Sequence, residues 1–369
     1  MMDQAGELIA ELGPQVLANC RRSDAEVSGR FSLCGLLLRM RNLYKWEQGL
    51  PPWREERPER MLEWVAEREE LWGGLLGEGP RELNLAGRVF DPFDLEGINT
   101  LLAPAGLVYG AGLAGGLLPV FFLGSLNRAW GVDGLSVRTV GEEFSRDIFF
   151  LPGMRQGPNI YLRRGPLAYL LWDKLADPRP SLQRFLRLGL AGYGLDLNSI
   201  LKEPTWEALE PVIDGETQSV LWHELGEAES GEAALSLLHR VLEAHAGGEL
   251  EHFTRGVKDL LADTGPRGRL ARIIEARAQG QLGFFPAWLA GFPRLIFPEI
   301  DAAVMEFMAG AGWEAIEEAR ALAWERAGQA AARLWEVVED APEGRVAELA
   351  RREVIEPLTR FRRPSSRPD

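Results

Sequence analysis

The chain has 369 residues, 46% hydrophobic and 26% charged, with a net charge of −14 and only two cysteines. That composition excludes a disordered chain, a collagen-like chain and a disulfide scaffold, and the length suits two domains or one large one. An acidic surface repels nucleic acid at long range, so no nucleic-acid partner is expected.

Cys20 and Cys34 form no C-x-x-C pair and no zinc framework. The N-terminus, MMDQAGELIAELGPQV, has acids where a signal peptide needs bases. A cytoplasmic location is expected. No charge falls between Glu96 and Arg128, a stretch long enough to span a bilayer. Its glycines, with Pro104 and Pro119, fit buried strands and turns better, so no membrane association is expected.

Residues 1–85 read as a helical region. Leu33, Leu36, Leu37, Met40, Leu43 and Tyr44 follow the i, i+3, i+4 spacing, and Gly49 with Pro51–Pro52 ends that helix. The run REERPERMLEWVAEREELW predicts an exposed helix with Leu62, Val65 and Trp72 facing inward. Trp46, Trp53, Trp64 and Trp72 read first as core packing; an aromatic pocket is the other use for them.

Residues 86–165 read as a small β-rich region. GLVYG, PVFFLGSL, LSVRTV and NIYLRR predict an antiparallel sheet of three to five strands, with a turn at Val132-Asp133-Gly134. EEFSRDIFF predicts a short helix before Pro152. Gly110-Ala-Gly112-Leu-Ala-Gly115 matches G-x-G-x-x-G, but Pro119 would break the helix that a dinucleotide fold needs next. A glycine-rich strand pair is the better interpretation, and no nucleotide cofactor is expected.

Residues 166–363 predict a C-terminal helical bundle, and 364–369 a frayed tail. The fold class is therefore α+β, a predominantly helical body with a small antiparallel β-sheet in the first half. Ser199-Ile-Leu-Lys202 matches S-x-x-K without its supporting K-T-G element. Glu299, Asp301 and Glu306 interrupt an otherwise apolar run; Pro298 makes Glu299 a first-turn residue, with a supporting ligand role as the alternative.

All four histidines, His223, His239, His245 and His252, lie within 30 residues. Histidine is the commonest metal ligand. On a helix, Glu216, His223 and Glu227 share one stripe, and burying them is costly unless they pair or bind a cation. His252, Asp259 and Asp263 repeat the spacing of seven and then four. Two alternatives stand for that second set. It forms a solvated face with local ion pairs, or the two helices face each other across a carboxylate–histidine centre, as helical bundles allow.

Glu216 and His223, seven apart, resemble part of the ligand set of haem-oxygenase-like di-iron oxidases. The later H-x-x-x-D-x-x-H helix of those proteins has no match in this sequence. The runs FSLCGLLLRMRNLYKWEQGLPPW, FDPFDLEGINTLLAP, WHELGE and GVKDLLADT also resemble a bacterial family of unknown function, over most of the chain. That resemblance implies a bacterial origin and no activity.

The specific expectation is a metal-dependent enzyme, with Glu216, His223, Glu227, His252, Asp259 and Asp263 as metal ligands and a divalent ion (iron, manganese or zinc) between helices 216–227 and 252–263. The alternative is a non-catalytic protein that binds a protein partner through its acidic helical surface.

Overall fold

The computed structural model describes residues 2–28, 31–229, 231–342 and 344–359. The expected frayed tail at 364–369 lies outside them. The chain divides into two compact units, Met1–Asp173 and Lys174–Asp369.

The first unit holds helices α1 (Met2–Ser28), α2 (Leu33–Glu47), α3 (Pro58–Leu75), α4 (Leu95–Leu102) and α5 (Arg164–Leu175), the last of which reaches the boundary. Leu12, Val16 and Cys20 are spaced four apart, so α1 turns one apolar stripe onto the sheet residues Tyr109, Phe121 and Leu123. The Ser32 hydroxyl caps α2 by accepting from the Gly35 amide. The inward faces of α2 and α3 differ from expectation. Met40, Leu43, Tyr44, Trp64 and Trp72 are buried, while Leu33, Leu37 and Leu62 are exposed. The buried Arg68 takes a core position beside Trp64, because Glu47 pairs with its guanidinium.

Two sheets lie between α3 and α5. Strands β1 (Leu83–Leu85) and β2 (Arg88–Phe90) form a hairpin. Strands β3 (Leu107–Ala114), β4 (Leu118–Val132), β5 (Leu135–Arg146), β6 (Gly153–Gln156) and β7 (Asn159–Arg163) form a second sheet of order β3-β4-β5-β7-β6. The second sheet is mixed, since β5 and β7 run parallel. Asp133 and Gly134 both have positive φ and join β4 to β5, as the Asp-Gly signal predicted.

The short helix expected at EEFSRDIFF is not formed. Its first half is the end of β5, where Arg146 pairs with Phe122 and Ser145 with Leu123 across the ladder. Its charges are not a solvated face: Glu143 accepts two hydrogen bonds from the buried Arg163, at 2.5 and 3.2 Å. Buried ion pairs hid the strand's period of two. The glycine run is a strand, β3. A Cβ on Gly110 would lie 2.1 Å from the Phe122 ring, and one on Gly112 2.1 Å from Gln156. Close packing explains both glycines.

The second unit is helical throughout its described residues: α6 (Pro180–Gly192), α7 (Leu197–Lys202), α8 (Trp206–Glu229), α9 (Gly231–His245), α10 (Glu249–Thr264), α11 (Arg269–Glu275), α12 (Gln279–Trp288), α13 (Gly291–Ile296), α14 (Glu299–Met308), α15 (Trp313–Asp340), α16 (Val346–Ala350) and α17 (Glu356–Thr359), with a π-helical turn at Arg351–Ile355. Ala319, Ala323, Ala327 and Ala330 form a stripe of small buried residues along α15, and α10 packs against that helix. The α8–α10 crossing positions the candidate site. A Cβ on Gly226 would lie 2.2 Å from the Ala262 carbonyl oxygen. Glycine lets the two backbones touch there, and side chains on either side of the crossing meet.

Candidate metal centre

α8 runs unbroken through Pro211 and Gly215, so His223 and Glu227 do share a face, one turn apart. α10 presents Lys258, Asp259 and Asp263 to them. The Asp263 carboxylate stands 2.8 Å from His223 Nδ1. An ionised carboxylate only accepts, so Nδ1 carries the proton and donates it to Asp263. The other ring nitrogen, Nε2, then faces Glu227 Oε1 at 3.4 Å. Lys258 Nζ hydrogen-bonds Glu227 and stands 3.4 Å from Asp259 Oδ1. One potential ligand atom from each of His223, Glu227 and Asp259 lies within 4.8 Å of the others.

The group is partly buried. Side-chain exposure is 22% for His223, 16% for Glu227 and 41% for Asp259, against 7% for Asp263. The group therefore opens to solvent on the Asp259 side. Burial alone would push the His223 imidazole down, but Asp263 and Glu227 outweigh it and hold the ring's pKa well above its usual value. Burial would raise Glu227, and the hydrogen bond from His223 and the charge of Lys258 bring it far down instead. Burial raises Asp259, against the pull of Lys258 and His223. His223 and Lys258 thus stand against the three carboxylates of Glu227, Asp259 and Asp263.

Not every predicted site residue joins it. Glu216 lies two turns before His223, roughly 10 Å along the helix axis. It is 1% exposed and accepts from Trp288 Nε1 at 2.7 Å, with Arg269 Nη2 at 3.7 Å. Burial pushes its carboxyl up to about 7, against the pull of Arg269 and Trp288. Tyr193 lies beside it, its phenol pushed up by burial and by Glu216. His252 is exposed, as is His239, and His245 is half-buried. The structure thus brings together His223, Glu227, Asp259 and Asp263, and leaves Glu216 and His252 apart from them. Lys258 joins the group without having been singled out; it is one of only four lysines in the chain, which was its one signal.

The other motifs have local uses. Glu299 pairs with Arg326, and Asp301 with Arg294. Ser199 is exposed and bonds Asp196, the N-cap residue of α7. A cavity of about 450 Å³ is lined by Gly226, Glu229, Arg267 and Trp324 among others, and none of the five clustered side chains lines it. No helix among the described residues is long and apolar enough to cross a membrane.

Residues 11–163 match the N-terminal domain of a family of unknown function, DUF6866, and residues 168–356 match its C-terminal domain. The chain belongs to this family. The match carries neither an organism nor a di-iron activity with it. No curated protein and no solved structure matches the chain. The His223 group lies within the family's C-terminal domain.

Proposed function

We propose that this chain is a cytoplasmic, divalent-metal-dependent enzyme, with His223, Glu227 and Asp259 as the metal ligands and Asp263 as the carboxylate that orients His223. One observation carries the proposal: His223 Nε2 and Glu227 Oε1 face each other at 3.4 Å while Nδ1 is committed to Asp263. A proton on Nε2 satisfies that contact in the metal-free chain, and an ion that displaces the proton would take the same two atoms as ligands. Two ligands about 2.1 Å from a tetrahedral ion stand about 3.4 Å apart. A histidine that gives its second nitrogen to a carboxylate is the usual arrangement around such ions.

Three protein ligands leave a coordination position open, and a bound ion would supply Lewis-acid activation of a water there. The residues themselves do the positioning. Asp263 holds the imidazole in one tautomer and one orientation. Glu227 and Asp259 bring negative charge to the same place from two helices. The exposed side of Asp259 gives a substrate its approach. Hydrolysis is the reaction this set would serve with a water in the open position.

The test is a panel of chromogenic esters and phosphates offered to chelator-stripped protein and to protein reloaded with Zn²⁺, Mn²⁺ or Fe²⁺. Turnover is expected only after reloading, and not in His223→Ala. Turnover that survives stripping, or that His223→Ala retains, would contradict the proposal.

Protein binding is the second use the observations favour. Leu33 and Leu37 are 72% and 46% exposed, one turn apart on α2. An apolar pair on an outward face would add to a docking surface for such a partner.

A further inference from the structure

We propose that Lys258 is the specificity-determining residue of the cation site: its ammonium occupies two of the three ligands, and it yields them only to an ion that also takes the His223 imidazole. This rests on the metal function proposed above.

Lys258 Nζ hydrogen-bonds Glu227 and stands 3.4 Å from Asp259 Oδ1. Both partners are proposed ligands. The ammonium is therefore a cation already seated between the two carboxylates. Its side chain is only 13% exposed, so bulk water does not solvate it in that position. A divalent ion must take both carboxylates from it.

The gain from that exchange depends on the ion. Mg²⁺ and Ca²⁺ seek oxygen ligands, and Ca²⁺ wants six to eight of them. Here they would meet two carboxylates that Lys258 already satisfies and a third, Asp263, committed to His223 Nδ1, and would draw the rest of their shell from water. Zn²⁺ and Fe²⁺ bind imidazole well, so once Nε2 releases its proton to solvent they add the His223 bond to the carboxylates. That extra ligand is one that an ammonium cannot use in the same way, and it tips the exchange. The displaced ammonium has a further acid at hand: Glu224, 7% exposed on α8, is one of the charges that hold the Lys258 pKa up against burial.

The discriminating experiment is calorimetric titration of Zn²⁺, Fe²⁺ under anaerobic conditions, Mg²⁺ and Ca²⁺ into chelator-stripped wild type, Lys258→Met and Lys258→Gln. Two variants guard against one that misfolds, and circular dichroism melts check each. Wild type is expected to bind Zn²⁺ or Fe²⁺ and to give no measurable heat with Mg²⁺ or Ca²⁺. Removing the ammonium should tighten Zn²⁺ at least about tenfold and open the site to the oxygen-seeking ions. Folded variants that bind Zn²⁺ no better than wild type, and still refuse Mg²⁺ and Ca²⁺, would overturn the role of Lys258 and leave the metal function standing. Absence of any binding in wild type and variants alike would overturn both.

Discussion

At the scale of single residues, two buried acids on α8 have opposite fates. Glu227 meets an imidazole and an ammonium and is held ionised. Glu216 is wholly buried, and burial outweighs Arg269 and Trp288 and pushes its carboxyl up to about 7. Between pH 4.5 and 7 native Glu216 keeps a proton that the unfolded chain has already released, so its contribution to stability is lost as pH rises through that window. A shift from 4.5 to about 7 corresponds to about 3 kcal/mol at most. Glu216→Gln should flatten the fall in stability over this range, measured as the urea midpoint against pH. Parallel curves for variant and wild type would exclude the effect.

Asp263 acts on His223 rather than on an ion. Removing such an orienting carboxylate typically costs 10- to 100-fold in metal affinity. Asp263→Ala should show a loss of roughly that size by Zn²⁺ titration, with a native circular dichroism spectrum. Unchanged affinity would show that the hydrogen bond orients nothing of consequence.

The candidate site was largely legible at this scale. The repeated seven-and-four spacing marked His223, Glu227, Asp259 and Asp263, and these four converge. What spacing cannot show is azimuth relative to a neighbour. Glu216 shares the stripe of His223 but sits two turns away along the axis, among Trp288, Arg269 and Tyr193, which come from other elements. His252 stands in the same relation to Asp259.

At the scale of elements, Gly226 is the hinge of the account. Alanine is ordinarily a better helix residue than glycine by about 1 kcal/mol. Here its Cβ would lie 2.2 Å from the Ala262 carbonyl oxygen, so the helices must part. Gly226→Ala should destabilise the protein by about 1–3 kcal/mol in urea unfolding and weaken metal binding along with it. A neutral or stabilising effect would mean that the crossing has slack, and that the His223–Asp263 contact does not depend on it.

β5 makes a different point. Glu143 is the carboxylate for Arg163 and also stands 3.4 Å from Arg146, both fully buried guanidinium groups. Removing one member of a buried pair typically costs about 3–5 kcal/mol. Glu143→Ala is expected in that range by chemical denaturation; a loss below about 1 kcal/mol would put water rather than Glu143 as the main partner of these arginines. The same pairing made the strand look like a helix in sequence, since four charges in nine residues imply solvent unless their partners are known. The Asp-Gly turn needed no such knowledge, because its positive φ values are a local requirement.

At the scale of the molecule, helix content was legible and sheet architecture was not. The second unit was expected to be a helical bundle and is one among its described residues, since helix periodicity and breakers are local signals. The mixed sheet rests on a parallel β5–β7 pair whose strands meet through β6 and its hairpin, and no local pattern announces a parallel partner. The close approach of α8 and α10 is likewise non-local, although every residue of the group it assembles comes from a stretch of 41 residues, His223 to Asp263.

Elemental analysis decides whether His223, Glu227 and Asp259 hold a metal ion. Protein prepared without a histidine tag would be measured beside a His223→Ala/Asp259→Ala variant of equal fold. Close to one equivalent of zinc, iron or manganese is expected in the wild type, and its loss in the variant. A metal-free wild type that also fails to take up these ions after dialysis, or a variant that keeps the same metal content, would contradict that assignment.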